Sequence, residues 1–342
     1  MIWTFRSLAS REKERDRLIM ADTQAGMAVG RMDLSFILRQ FAQIYKKCVI
    51  SDVFYNMKLL TELSISPLGV QIGADEKVLL LGSCFSDEVG KRMQEWGLNA
   101  CRNPFGALYN PLSILNAIHL LQSDRLLDEQ DCVPMGAGAG MICSWYHHTR
   151  MARRTAPEFL SEANRALLQA RAFWRECGVL IITLGTAFVY RHEGKVVANC
   201  LKRPAGEFTR QMMDASEVEK ALKEIIGLAS SKRVIITVSP IRHLSDGAHA
   251  NTLSKAVLQI GADAALKAIE ERQCCYFPSY ELMLDELRDY RFYDADLVHP
   301  RDIAVDHIFE RFLKSCFSEE DRKTLENRHK AFLRTQHIPI LG

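Results

Sequence analysis

The chain has 342 residues, enough for one large domain or two modest ones. An apolar share of 48%, a charged share of 25% and a net charge of +2 suit an ordinary globular protein and give no reason to expect nucleic acid or an acidic membrane as partner. No apolar run approaches the roughly 20 residues that span a bilayer, and the ten cysteines lack CxxC pairs, so they are expected to be reduced thiols of a cytoplasmic protein.

Residues 1–56 differ from the rest. Arg11 to Arg17 alternates basic and acidic side chains, and Asp33 to Lys47 fits an amphipathic helix through Phe36, Ile37, Phe41 and Tyr45. The apolar core and small-residue cleavage site of a secretory signal are missing. The expectation is an extension without a catalytic role, poorly ordered or partly helical. The other reading takes Met57 as the start, because Met57-Lys58-Leu59-Leu60 opens the regular portion.

Lys77 to Leu81 then reads as a strand covered on both faces. Gly82 permits a sharp turn, Ser86-Asp87-Glu88 supplies a helix cap with first-turn acids, and Val89, Met93 and Trp96 recur at helical spacing up to Gly97. Leu98 to Arg102 is a short second strand, Asn103-Pro104-Phe105-Gly106 a turn, and Pro111 the opening of a helix to Leu121. The loop-rich residues 122–156 include glycines at 136, 138 and 140, but no strand precedes them and no helix follows, so they do not form a phosphate-binding fingerprint.

A helix over Glu158 to Cys177 leads into a second buried strand, Val179 to Leu184. A hairpin follows around Glu193-Gly194, and Asp214 with Glu217 forms a capping box. Arg233 to Ser239 is a third buried strand, Thr252 to Arg272 a helix, Cys274 to Phe277 a fourth strand, and Asp302 to Phe317 the last helix. Strands alternating with helices in this way predict a three-layer α/β/α sandwich with a mostly parallel sheet. Residues 57–320 read as one domain and 321–342 as a C-terminal tail.

In open α/β sheets the chemistry sits beyond the carboxyl ends of the strands. There the chain places two nucleophile candidates, Ser83 and Cys84, and later Asp296-Leu297-Val298-His299. An Asp three residues before a His can orient the imidazole as general base for a serine or thiol. His243 and His249 flank Asp246-Gly247 at the same end, and His147-His148 can reach it from the long loop. The spacing of His243, Asp246 and His249 is not a recognised zinc pattern, so no metal is assigned.

These blocks resemble the SGNH/GDSL hydrolase superfamily: a nucleophile after the first strand, a glycine after the second, Leu184-Gly185-Thr186 after the third and a late DxxHP. More narrowly, Gly82-Ser83-Cys84-Phe85-Ser86 resembles the motif of the GSCFA family, with Ser86 in place of its final Ala. Asn103 to Gly106, Tyr109-Asn110-Pro111, Ser239-Pro240 and His299-Pro300 are also similar, over about Met57 to Phe317. The resemblance implies a flavodoxin-like SGNH sheet. In ungapped register it puts Cys84 at the nucleophile position, ahead of Ser83, with Asp296 and His299 completing the constellation. It implies an oxyanion or substrate-binding role for Gly106, Asn103, Asn110, Gly185 and Thr186; Ala187 stands where the superfamily has Asn. By their position His243 and His249 can line the pocket or replace His299 as base. The expected activity is hydrolysis of an O-acyl ester of a small molecule or glycan, without metal or organic cofactor. The alternatives are acyl transfer, or ligand binding on an inactive fold.

Overall fold

The computed structural model describes residues 61–66, 68–269 and 273–336, which belong to a compact unit beginning at Leu60. The helix expected over Asp33 to Lys47 and the choice between Met1 and Met57 lie outside these residues. The strands are β1 (Lys77–Gly82), β2 (Asn99–Arg102), β3 (Val133–Pro134), β4 (Ile142–Cys143), β5 (Val179–Leu184), β6 (Phe188–His192), β7 (Lys195–Val197), β8 (Phe208–Met212), β9 (Arg233–Val238) and β10 (Cys274–Tyr276). The main helices are α1 (Cys84–Glu95), α2 (Pro111–Gln122), α3 (Ala156–Glu176), α4 (Ala215–Leu228), α5 (Ala248–Lys267), α6 (Asp302–Cys316) and α7 (Glu319–Gln336). Among the described residues no helix is long and apolar enough to cross a membrane.

Five strands form one parallel sheet in the order β2-β1-β5-β9-β10. Counted within the sheet this is 2-1-3-4-5, the flavodoxin-like order, and its topological switch point lies between β1 and β5. The period of two along each strand divides the core into two layers. Leu79 and Leu81 of β1 and Leu180 and Ile182 of β5 face α2 to α5. Val78, Leu80, Val179 and Ile181 face α1 and α6, where Phe85, Met93, Ile308 and Phe312 cover them. The long apolar runs read as doubly covered strands are therefore that. A second, antiparallel sheet β7-β6-β8 is inserted after β5, with the expected hairpin at Glu193-Gly194.

Two helix starts differ from expectation. Helix α1 starts at Cys84, directly after the strand, with Ser83 at its N-cap and no side-chain capping bond. Gly82 has a φ of +150°, and a Cβ there would lie 2.2 Å from the Thr183 carbonyl oxygen. The chain leaves the sheet with no spare residues, so Ser86 and Asp87 fall inside the helix. Instead of capping, Ser86 donates to Thr183 Oγ1 at 2.8 Å and Asp87 receives Arg150. Helix α5 likewise begins at Ala248, earlier than expected. Beyond α6, the residues read as a tail continue α7, which buries Leu325 and ties Arg328 to the Ala74 carbonyl at 2.8 Å and to Asp75 at 2.6 Å. The caps of α2 and α4 follow the sequence: Asn110 Oδ1 accepts from Ser113 N at 2.9 Å, and the Asp214–Glu217 box is complete.

Candidate active site

The switch point puts Cys84 at the carboxyl end of β1, as the first residue of α1. Its side chain opens into a cavity of about 550 Å³ whose walls come from four places. Tyr109 and Asn110 stand at the start of α2, and Ile241 to Asp246 follow β9. Phe188, Tyr190 and Arg210 belong to the small sheet, and Val298 and His299 to the last loop. Cys84 and His299 also share an adjoining groove with Glu88 and Asp302. Ser83 is not part of either wall; it is 1% exposed, and among the described residues its Oγ has no hydrogen-bond partner. Of the two nucleophile candidates, the thiol alone reaches the cavity.

The DxxH motif closes on itself. Asp296 Oδ1 accepts the backbone N–H groups of Val298 (2.8 Å) and His299 (3.0 Å), while Oδ2 lies 2.6 Å from His299 Nδ1. Leu297 takes a left-handed φ of 57° to allow this. The hydrogen bond from the His299 backbone, then that from its ring, then Val298, hold the Asp296 carboxyl down at about 2. A carboxylate on Nδ1 keeps the proton on that nitrogen and leaves Nε2 as a base. Among the described residues no hydrogen bond joins His299 to Cys84; they meet across the shared cavity.

Several expected oxyanion donors are occupied. The Gly106 N–H donates to the Asn103 carbonyl at 2.8 Å, and both Gly185 N–H and Thr186 N–H donate to the Tyr109 carbonyl at 2.8 Å. Asn103 spends its amide on the chain, accepting from Gly82 N at 2.9 Å and donating to the Ser83 carbonyl at 3.3 Å. These four residues therefore build the turns around the site. Two donors remain among the described residues: the Cys84 N–H, unpaired because it opens a helix, and the Nδ2 of Asn110, whose Oδ1 is the part used as a cap. The Asn110 side chain stands beside the cavity that Cys84 faces.

The histidines divide. His243 lines the cavity beside Tyr109 with its Nε2 buried and unpaired among the described residues; burial first, then Lys255 and His299, push it down to about 4. His249 is exposed and outside the cavity. His147 packs into the core between Phe105 and Phe159. His148 reaches Tyr109, its Nε2 lying 3.4 Å from the phenolic oxygen.

Sequence reasoning missed the tyrosine and the arginines of the site. Tyr109 Oη is 3.3 Å from Cys84 Sγ. Arg210 lies over the ring of Phe188 at 3.7 Å and pairs with Asp246, which removes that carboxylate from any role beside His243 and His249. Arg242 donates to the Leu297 carbonyl at 3.1 Å over the Tyr293 ring. The only sequence signal for Tyr109 was its place next to Asn110-Pro111.

Among solved structures, an α/β hydrolase from the metagenome of Lake Arreo, Spain, is 14% identical, covering 71% of this chain and 96% of its own, with a TM-score of 0.34. The Clostridium thermocellum family 3 carbohydrate esterase is 11% identical over 70% of this chain and 94% of its own, at a TM-score of 0.32. An acetyl xylan esterase from the rumen bacterium Butyrivibrio proteoclasticus is 11% identical over 74% and 64%, at 0.28. Likenesses this distant carry no weight for activity. No curated protein matches the chain. A model of the GSCFA family matches residues 77–312, from the first strand of the sheet through most of its last flanking helix, and the chain belongs to that family.

Proposed function

We propose that the protein hydrolyses an O-acyl ester of a small molecule or glycan, with Cys84 as nucleophile. The observation that carries this reading is the shared cavity: the Cys84 thiol at the start of a helix and the His299 imidazole buttressed by Asp296 open into the same space. His299 Nε2 takes the thiol proton while Asp296 holds the imidazolium that forms. The thiolate adds to the acyl carbonyl, and the oxyanion lies against the Cys84 N–H and Asn110 Nδ2. Collapse expels the alcohol, which leaves with the proton from His299. Water, deprotonated by the same imidazole, then releases the acid and restores the thiol. Acyl transfer is the same sequence with a second hydroxyl in place of water.

A ligand-binding protein without turnover is the second reading, favoured by the commitment of the Gly106, Gly185 and Thr186 N–H groups to the Asn103 and Tyr109 carbonyls. A screen of p-nitrophenyl and sugar acyl esters, with a thiol-directed acyl probe, separates the two. Wild type and Ser83→Ala are expected to hydrolyse and label, and Cys84→Ala to do neither; His299→Ala should lose about 100- to 10,000-fold in kcat. No turnover and no labelling of wild type would leave the binding reading. Labelling that survives Cys84→Ala but not Ser83→Ala would transfer the role to the serine.

A further inference from the structure

Three hydrogen-bonding groups run in a line from the nucleophile to the loop before α3. Cys84 Sγ lies 3.3 Å from Tyr109 Oη, which lies 3.4 Å from His148 Nε2, and the backbone N–H of Arg150 donates to His148 Nδ1 at 3.2 Å. The last contact sets the direction of the others. A backbone N–H only donates, so Nδ1 must present its lone pair, and the neutral ring then carries its proton on Nε2. That proton points at the Tyr109 oxygen, so the phenol, with a single proton of its own, points it at the sulfur.

We propose that Tyr109 is a catalytic residue that donates a hydrogen bond from its hydroxyl to the Cys84 sulfur and stabilises it as thiolate, with His148 as the positioning residue that fixes the direction of that bond. This rests on Cys84 as nucleophile. No extra proton is moved: the thiol proton goes to His299, and Tyr109 keeps its own throughout. A donor on the charged form favours that form. The phenol is suited to the task because burial, followed by the nearness of Cys84, raises it far above an ordinary tyrosine, so it stays protonated beside a thiolate. His148 is suited to it because burial, followed by Arg150, favours its neutral ring.

The fold keeps the line in place. The Tyr109 carbonyl receives the N–H groups of Gly185 and Thr186, pinning the residue to the tip of β5. The His148 N–H donates to the Phe105 carbonyl at 2.9 Å, and Arg150 grips Asp87 of α1 with two hydrogen bonds, at 2.8 and 3.1 Å. Gly106 has a φ of +77°, and a Cβ there would lie 2.5 Å from the His148 Cβ, so the imidazole can approach only a glycine. The 3.4 Å contact is long, as catalytic hydrogen bonds often are before substrate binds.

The test reads Cys84 itself, without ester turnover: the rate of its alkylation by iodoacetamide against pH, followed on the Cys84 peptide by mass spectrometry. The other titratable or charged groups around the cavity and groove that Sγ faces are Glu88 on α1, Tyr190, Cys200 and Arg210 from the small sheet and its loop, Arg242, His243 and Asp246 after β9, and Asp294, His299, Arg301 and Asp302 around the last loop, with Asp87 and Arg150 beside Tyr109, and all are retained in the variants. Tyr109→Phe is expected to move the half-maximal pH up by about one unit, so that alkylation at pH 7 slows about tenfold. His148→Leu should shift it in the same direction by less, and His148→Gln, which restores a donor, should return it toward wild type. A midpoint unchanged in Tyr109→Phe overturns the proposal. A shift in Tyr109→Phe with none in His148→Leu overturns the directed chain. Because the readout is alkylation, a wild type that hydrolyses no ester defeats the esterase reading and leaves this result standing.

Discussion

At the scale of single residues, the DxxH turn supplies its own orientation. Three residues of spacing let one carboxylate receive two backbone N–H groups and the ring of the same histidine. Asp296→Asn keeps an acceptor for the backbone but can present an N–H to the ring, which then reverses its tautomer. The expected result is a fall in kcat of about 100- to 10,000-fold with KM little changed, and a melting temperature near wild type because the turn is exposed. Equal activity in Asp296→Asn and wild type would remove the aspartate from the constellation. The sign of its titration is also fixed. A carboxyl held down at about 2 stays ionised where an unfolded aspartate has taken up its proton, so whatever it contributes is lost progressively as pH falls from the ordinary aspartate value toward about 2. This pair was legible in the sequence because all its contacts are local. Tyr109 was not, because its meeting with Cys84 depends on the N–H groups of Gly185 and Thr186, just beyond β5, gripping its carbonyl. The Gly106 amide failed as an expected donor for the opposite reason: its four-residue turn satisfies it internally.

At the scale of elements, β1 both fills the core and aims the nucleophile. Its alternation sends Val78 and Leu80 to one layer and Leu79 and Leu81 to the other, which the unbroken apolar run already implied. The point where it hands over to α1 was less legible, since Gly82 looked like a residue chosen for turning. Its tighter constraint is the neighbouring strand, at 2.2 Å from any added Cβ. Gly82→Ala must therefore push β5 away as well as strain the backbone. Gly194 in the β6–β7 hairpin makes the comparison, because its φ of +79° is unfavourable to alanine but nothing lies within 4 Å of the added carbon. Gly194→Ala should cost about 1 kcal/mol, the ordinary penalty for that conformation. Gly82→Ala should cost more than about 2 kcal/mol, or prevent folding, since backbone cannot rotate out of the way. Urea unfolding of the two variants measures the difference; equal losses would mean that conformation alone, and not the packing of β1 on β5, makes Gly82 necessary.

At the scale of the whole molecule, the three-layer arrangement buries basic groups around the carboxyl end of the sheet, and these couple stability to pH. Lys255 is buried with its ammonium donating to the Gly185 and Ser239 carbonyls at 2.6 and 2.8 Å, and burial pushes it down to about 7. His147, 1% exposed, sits 2.7 Å from Ser144 Oγ and, like His243, is pushed down to about 4, in both cases chiefly by burial. An unfolded histidine takes up a proton near pH 6.5. Between about 6.5 and 4 the unfolded chain therefore binds protons that the folded chain refuses, and stability must fall as the solution is acidified through that window. Below about 7 Lys255 is protonated folded or unfolded, so it adds no slope there; its own slope lies between about 7 and 10.5, with stability rising as pH rises. The acid slope is assignable to a residue. His147→Gln replaces a titrating ring with an amide able to bond Ser144, and loses the aromatic packing on Phe105 and Phe159. Compared by urea midpoints, the variant should be less stable than wild type at pH 6.5, and the gap should narrow at pH 4, where wild type has paid for keeping its imidazole neutral. A gap of the same size at both pH values would show that burial of His147 does not govern the acid limb.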